Sequence, residues 1–291
     1  MPLYSHFGTP ELGVRVPEPS ISRNDPKTHT ALPEVVCFRI TRLCNARCGF
    51  CLAPPDGFHP DVASLVQRIN WLFSQGVKRI HFCGGEPTIH PGLVELIEHV
   101  DAVGGKSLLT TNAIAIQDKL ISVLRMHHTR VKVSVHGDEA HHDRIVGCKA
   151  FGSTTGNLRR LLAAGVPTSI QTTVVSGGAW VIEWVADFCR SFGVRTLSIL
   201  PFIPRGNGYR QRDQYELSDA DRCRLHELVR RKRKALAGIL DIRWLDFASR
   251  RVVVAEANGK LVLEGATEGL DQIICEIPST RETYAISKMT K

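Results

Sequence analysis

The stretch LCNARCGFC, residues 43–51, decides how the rest of the chain is interpreted. It places Cys44, Cys48 and Cys51 in a C-x3-C-x2-C pattern. Metal sites in proteins usually have four ligands, and this stretch supplies three thiols. A zinc ion with His59 or Cys37 as its fourth ligand is one explanation, although zinc sites more often use two C-x2-C pairs. The triplet therefore predicts a metal centre and leaves its type open.

The other cysteines are scattered through the chain, and their total of nine is odd. An odd count without a signal peptide argues against a disulfide framework and favours reduced thiols. The sequence contains no apolar run near the ~18 residues that a membrane span requires. These features predict a cytoplasmic protein with no membrane segment.

Short β-rich runs alternate with amphipathic stretches from residue 34 onward. The predicted strands cover residues 35–40, 79–83, 107–111, 130–136, 168–175 and 195–201. The predicted helices between them cover residues 61–76, 92–105, 115–126, 155–165 and 179–193. Because hairpin signals are missing between these strands, the pattern predicts an α/β fold with a parallel sheet of right-handed βαβ units.

Composition divides the chain into three parts. Residues 1–32 are rich in proline and predict an extended lead-in. Residues 33–204 contain the βα alternation. Residues 205–291 predict a small α+β extension, with a helix N-capped by Ser218 and a hairpin around Asn258 and Gly259. An Asn-Gly dipeptide between two β-rich runs is typical of a type I′ turn.

Polar and glycine-rich segments follow the predicted strands. The cysteine triplet follows the first strand, CGGEP (residues 83–87) ends the second, and TTN and SVHG end the third and fourth. Because the carboxyl ends of parallel strands meet at one edge of a sheet, we expect these segments to form one site.

The sequence resembles the radical SAM superfamily, because it contains the pattern C-x3-C-x-aromatic-C followed about 30 residues later by GGEP. The resemblance covers residues 35–208. The motifs are most similar to the branch that includes the molybdenum-cofactor cyclase. The resemblance implies a partial (βα)6 TIM-like barrel. It also implies one [4Fe–4S] cluster on Cys44, Cys48 and Cys51, with the fourth iron open to S-adenosylmethionine (SAM). Relatives with further clusters show further cysteine groups, and this chain has one triplet.

The resemblance also implies roles for single residues. Phe50 matches the aromatic residue that packs on adenine, and Gly84, Gly85 and Glu86 match the segment that holds the methionine amino group. The remaining SAM contacts are expected from Asn112, Ser134, Arg144, Thr173 and Leu200. Many relatives carry arginine two positions after Arg144, where this chain has Val146. His136 is the candidate catalytic residue, because its strand end faces the expected site.

The substrate is predicted from the segment after the sixth strand. Arg205, Arg210 and Arg212 suit a carboxylate or phosphate, so we expect a small anionic metabolite, nucleotide-like or sugar-like. A peptide or RNA substrate is the alternative for an enzyme, and an iron–sulfur sensor or scaffold is the alternative outside catalysis. The net charge of +8 is compatible with an acidic reductant such as flavodoxin or ferredoxin. The basic run at residues 230–234 lacks interleaved aromatics, which makes nucleic acid the weaker candidate.

Overall fold

The structure is a computed structural model, and it describes residues 32–245 and 251–278. Almost all of the predicted lead-in, residues 1–32, lies outside these residues. The strands are β1 (Val35–Arg39), β2 (Arg79–Cys83), β3 (Lys106–Thr111), β4 (Arg130–Ser134), β5 (Thr168–Val174), β6 (Thr196–Pro201), β7 (Asp241–Trp244), β8 (Val252–Ala255), β9 (Lys260–Glu264) and β10 (Gln272–Glu276). The helices are α1 (Val62–Ser74), α2 (Leu93–Ala102), α3 (Asp118–Met126), α4 (Glu139–Val146), α5 (Phe151–Ala163), α6 (Ala179–Ser191), α7 (Asn207–Arg210), α8 (Arg212–Tyr215) and α9 (Asp219–Ala235).

All ten strands belong to one sheet, in the order β10-β9-β8-β1-β2-β3-β4-β5-β6-β7. Strands β1 to β6 pair in parallel with their sequence neighbours, as the βα alternation predicts. The sheet is not closed, because β7 and β10 are not paired with each other in the described ranges.

Burial alternates along the strands. Phe38, Ile80, Phe82, Leu109 and Val133 are fully buried and form the core against the helices. The residues that alternate with them face the other, concave side, where Cys37, His81, Thr110 and Lys132 are partly buried and Arg39 is buried. The concave face therefore carries several polar side chains.

The residues after 205 continue the same sheet at both of its edges. β7 pairs in parallel with β6, and β8 pairs in parallel with β1. The extension that the sequence predicts is thus built into the barrel sheet on either side. Helix α9 begins at the predicted cap Ser218, which forms a capping box with Asp221.

The predicted hairpin forms between β8 and β9, but its turn differs from the prediction. Gly259 donates to the carbonyl of Glu256 (2.9 Å), and among the described turn residues only Gly259 has a positive φ, of 92°. This is a type I turn followed by a left-handed glycine rather than a type I′ turn, which needs a positive φ at Asn258 as well.

None of the helices in the two described ranges is long and apolar enough to cross a membrane.

Candidate active site

The cysteine loop follows β1 and is fixed on two sides. Its backbone donates to the last turn of α4, from Arg47 to Val146 (2.9 Å) and from Gly49 to Ile145 (3.1 Å). On the opposite side, Asn207 at the start of α7 donates its backbone N–H to the carbonyl of Cys51 (2.9 Å). These contacts fix the path of the loop.

The three thiols of the loop are free and partly buried. Burial raises the pKa of Cys44 to about 11, and it also raises the pKa of Cys48 and Cys51. Each thiol therefore keeps its proton until a metal replaces it, and metal binding must release protons.

The two candidates for a fourth zinc ligand are engaged elsewhere. His59 pairs through Nδ1 with the hydroxyl of Thr41 (2.9 Å), and its ring lies 4.4 Å from that of His90. Cys37 contacts Nδ1 of His81 at 3.8 Å, on the concave face. In the described parts of the chain, no three His, Cys, Asp or Glu side chains surround a single ion position. A three-thiol loop fits a cluster, in which separate irons take one thiolate each.

The GGE segment lies directly beside the cysteine loop. Gly85 donates to the carbonyl of Thr41 and Glu86 to that of Leu43, both at 2.8 Å. A Cβ atom at Gly84 or Gly85 would collide with these carbonyl oxygens. Glycine is therefore required here for the two backbones to approach.

Glu86 connects the ends of β2 and β3. Its Oε1 accepts hydrogen bonds from the Thr88 backbone (3.1 Å), the Thr88 hydroxyl (2.6 Å) and the Thr111 hydroxyl (2.6 Å). Its Oε2 accepts from the backbone of Asn112 (2.8 Å). Burial raises the pKa of Glu86, while these hydrogen bonds act in the opposite direction. The carboxylate thereby fixes the rim on which Asn112 stands.

Asn112 reaches the cysteine loop through its side chain. Its Nδ2 donates to Oδ1 of Asn45 (2.7 Å), which lies between Cys44 and Cys48. Asn45 was not predicted as a site residue, because an asparagine inside a metal-binding loop carries no signal of its own in the sequence. The end of β3 and the cysteine loop are thus joined by a side-chain hydrogen bond.

His136 packs behind Phe50. The ring centroids lie 4.9 Å apart, and Nδ1 of His136 accepts from the backbone of Thr173 (3.0 Å). Burial, reinforced by His142 and His141, lowers the pKa of His136 well below its usual value. The ring is therefore neutral with its proton on Nε2. The catalytic role predicted for His136 stays a prediction.

The other predicted SAM contacts lie at the same rim. Ser134 is the last residue of β4, while Thr173 and Leu200 are register partners on β5 and β6. Arg144 lies in the last turn of α4, where its Nη2 contacts Nδ1 of His141 (2.7 Å). The four positions remain predictions for the bound state.

Arg205 does not fit its expected role in substrate binding. Its guanidinium is buried and donates to both carboxylate oxygens of Asp271 (2.7 and 2.8 Å), to Glu264 (3.2 Å) and to the carbonyl of Gly265 (2.9 Å). An anion would have to displace these carboxylates. Arg210 and Arg212 differ, because both are exposed. Arg212 lies over the ring of Tyr209.

The match to known families agrees with this geometry. A family model described as the radical SAM superfamily matches residues 38–187, slightly more than half of the 291 residues. The chain belongs to this superfamily. SAM and a [4Fe–4S] cluster, the cofactors that the motifs predict, are the cofactors of this family.

Curated relatives are similar over part of their length. The chain is 28% identical over 137 residues to the GTP 3′,8-cyclase of Synechococcus elongatus, which covers 44% of this chain and 42% of the cyclase. It is 23% identical over 212 residues to the PqqA peptide cyclase of Streptomyces rochei, which covers 71% of this chain and 58% of that relative. The chain spans about half the length of the curated relatives that it matches.

Among solved structures, the chain is similar to Streptococcus suis SuiB bound to S-adenosylmethionine. The TM-score is 0.70 at 17% identity, over 79% of this chain and 60% of SuiB. This likeness concerns the fold, and it confirms the predicted α/β partial barrel.

Proposed function

We propose that the chain is a radical SAM enzyme with a single [4Fe–4S] cluster on Cys44, Cys48 and Cys51. When bound, the cluster and SAM supply a one-electron cleavage that generates a 5′-deoxyadenosyl radical, which abstracts hydrogen from the substrate. The observation that carries the proposal is the convergence of three motifs at one rim. The cysteine loop is hydrogen-bonded to the GGE segment through Leu43 and to the end of β3 through Asn45.

The chain's own residues bind and orient SAM. Gly84 and Gly85 expose backbone beside the cysteine loop, and Asn112 offers a fixed side chain at its edge. Phe50, held from behind by His136, provides an apolar surface for adenine. Ser134, Arg144, Thr173 and Leu200 complete the SAM site in this proposal.

The substrate that we propose is a small anionic metabolite. The similarity to GTP 3′,8-cyclases and the exposed Arg210 and Arg212 support it. A peptide is the competing substrate, because a PqqA peptide cyclase matches 71% of this chain. In both cases an acidic reductant of the flavodoxin or ferredoxin type would supply the electron in the cytoplasm.

The test is SAM cleavage by anaerobically reconstituted protein with a chemical reductant. We expect about four irons per chain and release of 5′-deoxyadenosine. Cys44→Ala, Cys48→Ala or Cys51→Ala should each abolish both the cluster absorbance and the cleavage.

Cys148→Ala is the matched control. Its thiol packs beside the same loop, 3.9 Å from the carbonyl of Asn45, but lies outside the triplet. It should retain iron and cleavage, as should Cys189→Ala, whose thiol is buried in the core. About eight irons per chain, or normal cleavage by any triplet variant, would contradict the assignment.

A further inference from the structure

A row of polar side chains crosses the concave face below the rim. Cys37 on β1 is the register partner of His81 on β2, and Thr110 on β3 is the register partner of Lys132 on β4. Side-chain contacts join the first three residues, because His81 contacts Cys37 through Nδ1 (3.8 Å) and Thr110 through Nε2 (2.7 Å). Lys132 lies beside Thr110 in this row, and its register partner on the other side, on β5, is Ser169.

Two neighbouring side chains of this row can bind an acceptor. The hydroxyl of Thr110 pairs with Nε2 of His81 and keeps a second hydrogen-bonding position. The ammonium group of Lys132 only donates, so it needs an acceptor.

Lys132 has no such acceptor inside the described part of the protein. Its side chain is partly buried, and it forms neither a hydrogen bond nor an ion pair there. Burial lowers its pKa, with an opposing influence from Cys37 and a reinforcing one from Arg243. Arg243 itself is paired with Asp241 (2.7 Å).

Other cations near this face are neutralised by carboxylates. Arg39 lies on the same face of β1 as Cys37, and it is paired with Glu256 and with Glu264 (2.8 Å). Arg205 is paired with Asp271 and Glu264. Among the described residues, no carboxylate compensates the positive charge of Lys132, and a partly buried charge costs free energy unless an anion binds there.

The position of Lys132 also fits a substrate below SAM. Ser134 lies two residues further along β4 on the same face, at the rim of the proposed SAM site. Two residues of a strand span about 7 Å. A small molecule can therefore reach from Lys132 to the rim.

We propose that Lys132, with the hydroxyl of Thr110, binds the anionic group of the substrate, a phosphate or a carboxylate. This inference rests on the proposed function for its place in catalysis, but binding can be measured without SAM cleavage. The proposed anion site therefore lies in the middle of the concave face, and not in the loop after β6 where the sequence predicted it.

The experiment is a calorimetric titration of the full-length reconstituted protein at low salt, with inorganic pyrophosphate in one arm and malonate in the other. We expect one of the probes to bind at one site per chain, which identifies the anion as phosphate or carboxylate. Lys132→Gln should weaken binding about tenfold to a hundredfold, and Thr110→Val by a smaller factor. The matched control is Lys106→Gln, since Lys106 is an exposed strand lysine paired with Asp101, and it should bind as wild type.

Mass-spectrometric acetylation of lysines in the wild-type protein tests the same site without a substitution. The bound probe should protect Lys132 and leave Lys106 reactive. Any of three results would overturn the inference: Lys132→Gln binds the probe as tightly as wild type, neither probe binds, or the bound probe does not protect Lys132. SAM cleavage in the same preparation separates the two proposals: cleavage without probe binding contradicts this inference alone, and probe binding without cleavage contradicts the proposed function alone.

Discussion

His136 and His142 lie one behind the other beneath Phe50, with ring centroids 5.6 Å apart. Nδ1 of His142 accepts from the backbone of His136 (3.2 Å), which fixes the strand end that supports the site. Burial lowers the pKa of His142 to about 4, with Asp143 opposing the shift and His141 adding to it. In the unfolded chain this residue titrates near its usual pKa of 6.5.

We predict that His142 makes the fold sensitive to acid. A group with a lowered pKa in the folded state contributes stability above its unfolded pKa and loses it as the pH falls toward the folded pKa. The contribution should therefore disappear between pH 6.5 and about 4, and it amounts to on the order of 3 kcal/mol. In His142→Asn, Oδ1 can accept the same backbone hydrogen bond without titrating. Urea unfolding as a function of pH should then show a shallower loss of stability; an unchanged slope would mean that other groups cause it.

The sequence predicted the surroundings of some single residues and not of others. The cysteines and Glu86 belong to contiguous motifs, so their neighbourhood follows from chain order. Arg205 was misjudged because its carboxylate partners, Glu264 and Asp271, lie about 60 residues later. The role of Lys132 could not be predicted either, because a lysine in a strand is expected to face solvent unless the concave face of the sheet is known.

At the scale of elements, Arg205 fastens the β9–β10 hairpin to the loop after β6. Arg205 is 5% exposed, and its guanidinium is bonded to two carboxylates. Removing one member of a buried charge network leaves its partners uncompensated, which costs about 3–5 kcal/mol. We predict a loss of this size in Arg205→Met, together with faster amide hydrogen exchange in β9 and β10. Arg210→Met, at an exposed position of the same segment, should lie within about 0.5 kcal/mol of wild type. Unchanged exchange in the hairpin would contradict the fastening role.

The sequence predicted strands β1 to β6 with ends within about two residues, because each run is β-rich and bounded by turn residues. It missed β7, β10, α4 and the short helices α7 and α8. β7 has only four residues at an edge, and α4, EAHHDRIV, has too few apolar positions to display a helical period. The pairing of β8 with β1 could not be predicted either, since register between distant segments has no local signature.

At the scale of the molecule, β7 at one edge of the sheet is joined to β8 on the far side of β1 by a short stretch of chain. Seven strand spacings separate β8 from β7, which in a flat sheet amounts to about 34 Å. The chain has eight Cα steps between Trp244 and Val252, and it can span at most about 30 Å. The sheet must therefore curve, and the covalent link sets an upper limit on how far the concave face opens.

We predict that the barrel depends on its last three strands. A chain ending at residue 245 would lose Glu256 and Glu264, so that Arg39 would be buried without a carboxylate and one edge of β1 would be unpaired. Its free energy of unfolding should fall by at least about 3–5 kcal/mol, a large part of the total for an ordinary domain. Urea unfolding followed by circular dichroism measures this. Arg39→Met in the shortened chain should recover part of the loss, and a midpoint equal to that of the full chain would refute the prediction.

The pairing of β1 with β8 also has a consequence for the time course of folding. Cys37 on the first strand meets Val254 more than two hundred residues later in the chain. During synthesis, the outer edge of β1 stays unpaired until the ribosome has nearly completed the described part of the protein, and closing so long a loop carries a high entropic cost. A nascent chain therefore exposes a strand edge that can pair with the edge of another chain. The arrangement that later shields Arg39 thus makes the protein dependent on a late step, during which aggregation competes with folding.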